Sequence, residues 1–139
     1  MLLLLIFLGI GGYFAYKAFQ DAYTVVPSKV FEENFNDKLT DIKDLEGGGE
    51  LSSYFNLYLK FRAPNGAHPR HYTEFRDEYA SQAQDYMEKL YPTDEALRAV
   101  NDLELSSRSE HNSASSIINS WLIHVKKTDQ YYFRTWGQK

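Results

Sequence analysis

The chain has 139 residues, a formal net charge of -4 and no cysteine. The missing cysteines exclude a lipobox lipoprotein, prenylation, S-palmitoylation and any disulfide framework. The acidic balance, with no Lys/Arg cluster, disfavours nucleic acid or a polybasic lipid contact.

The first element is the stretch from Met1 to Phe19, MLLLLIFLGIGGYFAYKAF, in which Lys17 is the single charged side chain. As a helix, residues 2–19 would reach roughly 27 Å at about 1.5 Å per residue, slightly short of a hydrocarbon core of about 30 Å. Lys17 near the far end can snorkel, and Tyr13, Tyr16 and Phe19 suit the interfacial belt. The segment therefore reads as a retained single-pass anchor contacting membrane lipid. A cleaved secretory signal is the rival, against which stand the absence of a basic n-region and of a clean small-x-small site. A buried core helix is the third reading. With no lipidation available, the helix must anchor alone. Orientation is weakly encoded: Lys17 and Lys29 favour a cytoplasmic domain, whereas an apolar segment with almost nothing before it is the layout of an exported signal-anchor, and the extracytoplasmic side is favoured slightly. Gly11 and Ala15, with Ala18 close to the same face, form a small-residue face on which another helix could pack.

About 120 residues follow, enough for one small domain with a single core. Residues 20–37 read as a polar connector, in which Phe31 and Phe35 stand at i, i+4 and Ser28 is a candidate N-cap for a short juxtamembrane helix. The domain proper is assigned to residues 38–139. Lys38 to Glu46 reads as the first arm of a hairpin whose turn is Gly47-Gly48-Gly49, in preference to a continuation of the helix through Leu39 and Ile42. In the next segment Phe55, Leu57, Leu59 and Phe61 alternate with Tyr54, Asn56, Tyr58, Lys60 and Arg62, the period of a half-buried strand. Ala63-Pro64-Asn65-Gly66 ends it with turn chemistry.

Tyr72, Phe75, Tyr79, Ala83, Tyr86 and Leu90 recur in steps of three and four, an aromatic stripe along one amphipathic helix that Thr73 can cap and Pro92 stops. Thr93-Asp94-Glu95 reads as a fresh N-cap for a short turn or helix reaching Val100. Leu103 and Leu105 begin a strand expected to dissolve into the serine-rich stretch Ser106–Ser116. The C-terminus reads as a hairpin, with Ile117, Asn119, Trp121, Ile123 and Val125 on one face, a turn at Thr128-Asp129, and a second arm from Gln130 to Trp136. The fold class that results is α+β: an N-terminal transmembrane helix followed by a small two-layer domain, an antiparallel sheet with one main amphipathic helix packed on it.

Chemistry is sparsely signalled. His68, His71, Glu74, Asp77 and Glu78 have metal-type spacing, but Pro69 separates the histidines and acidic residues suit a helix's first turn anyway. Ser106, Ser107, Ser109, Ser113, Ser115 and Ser116 surround Glu110-His111, without the Gly-flanked strained turn of a serine nucleophile. His124 is expected at the surface or a strand edge. The three glycines lack the Gly-Lys-Ser/Thr of a phosphate loop. No cofactor, metal or catalytic residue is therefore assigned. The aromatic residues of the helix stripe and of the C-terminus read first as helix-on-sheet packing; Tyr131, Tyr132 and Trp136 are the candidate partner surface, because amphipathic rings dominate protein interfaces. The expected function is a membrane-tethered accessory or binding domain, non-catalytic, such as a small subunit or assembly factor of a membrane complex with a protein partner. The alternatives are a membrane-associated hydrolase or metal-dependent enzyme using His71 with Glu74 or the Ser/His111 region, and an immunity or exclusion factor at the membrane.

Overall fold

Alternating apolar residues demand a sheet with a covered face, and residues 54–62 supply that alternation. The computed structural model describes residues 11–18, 20, 23–70, 80–113 and 116–138. Strands β1 (Lys43–Leu51), β2 (Tyr54–Arg62), β3 (Leu103–Ser113), β4 (Ser116–Val125) and β5 (Gln130–Gln138) build one sheet in the order β1-β2-β5-β4-β3. Every pairing is antiparallel. Three hairpins account for the neighbours β1-β2, β3-β4 and β4-β5. The long connection after β2, which contains helix α2 (Ala80–Leu90), carries the chain to the opposite edge, so β5 returns to the middle and pairs with both β2 and β4.

The α+β class with an antiparallel sheet is observed, but the domain has three layers rather than two. Helix α1 (Pro27–Asn34) covers one sheet face through Val30, Phe31 and the following Phe35. The stretch expected to be a polar connector thus supplies core aromatics. The Phe31 and Phe35 rings stack at 4.7 Å, and both present edges to Phe61 at 5.1 and 5.2 Å. The reason is the i, i+4 spacing, which places two rings on one helical face that only burial can satisfy, each worth about 1.5–3 kcal/mol. Ser28 does not cap this helix: Pro27 takes the first helical position, where its missing N–H costs nothing, and Val26 occupies the cap. At the other end the Arg70 guanidinium donates to the carbonyls of Phe35 (2.9 Å) and Glu32 (3.3 Å), satisfying acceptors the helix leaves open.

Helix α2 covers the opposite face with Ala83 and Met87 buried, beside Leu97, Trp121, Ile123, Val125 and Tyr132. Tyr86 and Leu90 flank that line, while Tyr72, Phe75 and Tyr79 of the expected stripe lie outside the described residues. Pro92 follows the last turn as expected. Both sheet faces being covered explains why Tyr131, Tyr132 and Phe133 are consecutive and all buried: β5 is central, and its alternate side chains enter two different cores.

The three glycines are not the β1-β2 turn. The strand runs straight through them and the turn is Ser52-Ser53, with the Ser52 hydroxyl donating to the Tyr54 carbonyl. Gly49 sits at φ 124°, and a Cβ there would stand 2.0 Å from the Asn56 carbonyl oxygen of the neighbouring strand. Gly49→Ala should therefore cost about 1–3 kcal/mol through backbone strain. Gly48→Ala, whose Cβ would meet only the movable hydroxyl end of Tyr58, is the control and should cost less than half as much. Urea midpoints of the two variants check this, and equal midpoints would refute it.

One further expectation is corrected. The serine-rich stretch does not dissolve: β3 continues through Ser106, Ser107 and Ser109, pairing them with Leu122, Trp121 and Asn119. Thr93-Asp94-Glu95 leads into two short 3-10 turns, Glu95–Arg98 and Val100–Asp102, and Asp94 stands at the cap position without making a capping hydrogen bond. Its carboxylate is drawn inward instead, to Lys60 Nζ at 2.7 Å and the Tyr132 hydroxyl at 2.8 Å.

Residues 11–18 are helical and exposed, and no helix among the described residues is long and apolar enough to cross a membrane. Residues 1–10 and 19 of the expected span lie outside the described residues.

Candidate functional site

One aromatic side chain from each of β4, β5 and α2 converges on a single cation, Arg134. Along β5, Tyr132, Arg134 and Trp136 share a face by strand alternation, and register places Trp121 opposite Arg134. The Tyr86 ring comes down from α2 with its centroid 3.6 Å from the Arg134 guanidinium carbon; Trp136 and Trp121 follow at 4.3 and 5.0 Å. The two indoles meet edge to face at 4.5 Å. Arg134 Nε donates to Asn56 Oδ1 at 2.9 Å, the same oxygen that accepts the Tyr86 hydroxyl at 3.2 Å. Each cation–π contact is worth about 0.5–2 kcal/mol, more as water is excluded. Burial pulls the guanidinium below its usual value, with Tyr86 opposing the shift. Among the described residues no carboxylate pairs with Arg134.

This cage forms the inner end of a groove of about 460 Å³ on the α2 face, within the range of sites that hold ligands. Asn56, Asn119 and Trp136 line its middle, and Tyr54, Ile117 and Gln138 its mouth. Tyr54 and Ile117 are 66% and 40% exposed, large apolar surfaces with nothing over them among the described residues. Glu50 of β1 completes one wall.

A second cleft, of about 390 Å³, opens on the α1 face between Glu104, Ser106, His124 and Tyr131. His124 stacks on Tyr131 with centroids 4.3 Å apart and planes at 6°. Its Nε2 lies 3.0 Å from the Thr128 carbonyl, which can only accept, so that nitrogen donates; Nδ1 faces the Glu104 carboxylate at 3.5 Å. Both ring nitrogens are thereby turned away from the role of base toward Ser106. His124 thus makes the surface or edge hydrogen bonds expected of it, while its ring is three-quarters buried against Tyr131.

The other candidates separate. Of the expected partner surface, Tyr131 and Tyr132 are interior, 7% and 1% exposed, and Trp136 alone reaches the groove. The cause is the central position of β5, which covers both of its faces. His68 is exposed and bound to Asp37, its Nδ1 2.7 Å from Oδ1 and its backbone N–H donating to Oδ2; His71, Glu74, Asp77 and Glu78 lie outside the described residues. No group of three or more metal-type ligands occurs among the described residues. Glu110 and His111 are placed along β3 opposite Ile118 and Ile117, one rung apart rather than at a loop tip. Gly11 and Ala15 are exposed, and nothing lies within 4 Å of a Cβ built on Gly11; Ala18 is likewise exposed.

Arg134, Asn56, Tyr54 and Ile117 were not singled out by residue type. The available signal was a cation standing on the apolar parity of a strand, between Tyr132 and Trp136, where alternation would place a core side chain. No protein-family model, curated protein or solved structure matches the chain.

Proposed function

We propose that this chain is a membrane-tethered, non-catalytic binding domain, held beside its partner by the apolar segment 1–19, in the manner of a small subunit or assembly factor of a membrane complex. The observation that carries the reading is the groove ending on Arg134. A half-buried guanidinium is surrounded by three aromatic rings and one amide oxygen, while the mouth of the groove presents Tyr54 and Ile117, uncovered among the described residues. Aromatic and Arg side chains around a desolvated pocket are the composition of a binding hot spot. Tethering adds effective concentration, so modest affinity suffices at a membrane. The extracytoplasmic side is the favoured location of the domain, from the layout of the N-terminal segment.

The test uses the full chain in its own membranes with a photo-crosslinking side chain at position 117. Expected results are retention in the membrane pellet after alkaline carbonate and one discrete protein adduct, absent when the crosslinker sits at Glu33, exposed on α1 at the other face. Release into the supernatant would overturn the tether. A pattern at position 117 indistinguishable from that at position 33 would overturn the binding function.

A further inference from the structure

We propose that the outer edge of β3 is a homodimer surface, on which the same strand of a second copy pairs antiparallel about Ser106. The inference concerns a sheet edge and does not depend on what fills the Arg134 groove.

Backbone direction comes first. Lys126 N–H donates to the Asp102 carbonyl just before the strand. The β3-β4 register carries that hydrogen-bonded phase to Glu104, Ser106 and Arg108, opposite His124, Leu122 and Ser120. The backbone groups of Leu103, Leu105, Ser107 and Ser109 therefore point outward, and among the described residues no strand pairs with that edge. An edge of this kind is a template for another chain unless it is blunted. The sheet's other edge is blunted: β1 holds Asp44 at φ 52° and Gly49 at φ 124°, and its register slips between Lys43 and Glu46. From Leu103 to Ser109, β3 has no such device, and its register with β4 is unbroken.

Charge selects the occupant and the register. Outward residues must meet outward residues, so a two-fold axis passes through a residue rather than between two. About Ser106, Glu104 stands opposite the partner's Arg108, and by symmetry Arg108 opposite the partner's Glu104, in the closer rungs without backbone bonds. Centring on Leu105 would leave Arg108 beyond the ladder, on Ser107 would oppose Glu104 to Glu110, and on Arg108 would oppose that residue to itself. Centring on Ser109 would draw in the irregularity between His111 and Ser113. A strand whose acid and base exchange under one rotation fits its own copy. The Glu104 side chain is 67% exposed; Arg108 also interacts within its own chain, and its fork of N–H donors accommodates a second acid. The axis is perpendicular to the joined five-strand sheets, so both α1 helices, to which the N-terminal segments lead, fall on one side. That arrangement suits two chains held in one membrane.

The chain has no cysteine, so single cysteines report the register. The full chain in mild detergent micelles carries Ser106→Cys, Ser107→Cys or Ser53→Cys, the last a collision control in the exposed β1-β2 turn. Facing Cα atoms on a rung without backbone bonds stand about 4.5 Å apart, within disulfide reach. Under a mild oxidant Ser106→Cys should therefore form covalent dimer about tenfold faster than Ser53→Cys, and Ser107→Cys, which meets position 105, should match the control. Sedimentation equilibrium with native serines supplies the second readout. Glu104→Arg and Arg108→Glu should each weaken the dimer about tenfold, and the double variant, with opposite charges restored across both rungs, should return to within about threefold of wild type.

Crosslinking at 106 no faster than at 53, or faster at 107 than at 106, would overturn the inference. So would a monomer at every concentration, or a double variant no tighter than the single ones.

Discussion

Phe35→Ala is expected to lower the unfolding free energy by about 3–5 kcal/mol, the range for truncating a buried phenylalanine. Phe35 is fully buried, stacked on Phe31 and presenting edges to Phe61 and Phe133, the latter at 5.2 Å. Its removal opens a cavity between α1 and the centre of the sheet, where neighbours are held by strand pairing and cannot collapse. Small domains hold only about 5–15 kcal/mol in total, so the variant should sit near the edge of folding. Phe35→Leu keeps most of the apolar volume and should lose less than half as much. Chemical denaturation followed by Trp fluorescence checks both. A loss under about 1 kcal/mol for the alanine variant would mean that α1 is not seated on the sheet.

Asp94→Asn is expected to cost about 2–3 kcal/mol, the range for a charge-assisted bond lost from a partly buried site. Lys60 and Asp94 are 24% and 21% exposed, so water screens the pair only in part. Tyr91 and Tyr132 rings lie 5.1 and 6.0 Å from the ammonium. In the variant Lys60 keeps its charge with Glu46 at 3.8 Å as the remaining acid. Adding Lys60→Met should recover at least half of the loss, since the pair is then replaced by an amide that still accepts from Tyr132 and an apolar stem.

The same site sets a pH dependence. Burial raises the Asp94 pKa, but the hydrogen bonds from Lys60 and Tyr132 outweigh it and hold the carboxyl below the usual carboxylate range. A depressed folded pKa contributes stability that is complete above the unfolded value of about 3.9 and is lost as pH falls through the lower folded value. Wild-type stability should therefore drop more steeply below about pH 4 than that of Asp94→Asn. Parallel acid limbs would show that Asp94 does not titrate with folding.

Burial also pushes the Tyr91 and Tyr132 hydroxyls up, with Asp94 raising both further. They remain neutral through the ordinary pH range, so Tyr132 donates to Asp94 rather than ionising. The Tyr91 hydroxyl is buried with no hydrogen-bond partner among the described residues, and Tyr91→Phe should accordingly be tolerated far better than Tyr132→Phe.

Local pattern was enough to read β2 from Phe55, Leu57, Leu59 and Phe61, because period-two alternation has one solution when a face is buried. It was enough for the C-terminal hairpin about Thr128 and Asp129 for the same reason, and for the stop at Pro92. Patterning failed where one residue type serves two geometries. Glycines fit a turn, but they also fit a strand at close approach to its neighbour, as Gly49 does against Asn56. Serines fit a loop, yet β3 carries them as a ladder. An Asp before a short helix fits a cap, and Lys60, distant in the chain, outbid the backbone for Asp94.

By itself the sequence determined an antiparallel α+β domain behind an apolar N-terminal segment. Only the tertiary structure decided that the sheet is covered on both faces, that Tyr131 and Tyr132 are core, and that Arg134 ends a groove. The physical reason is β5's place at the centre of the sheet. That place follows from long-range pairing with β2 and β4, and a strand's own alternation distinguishes its two faces without saying how many of them are buried.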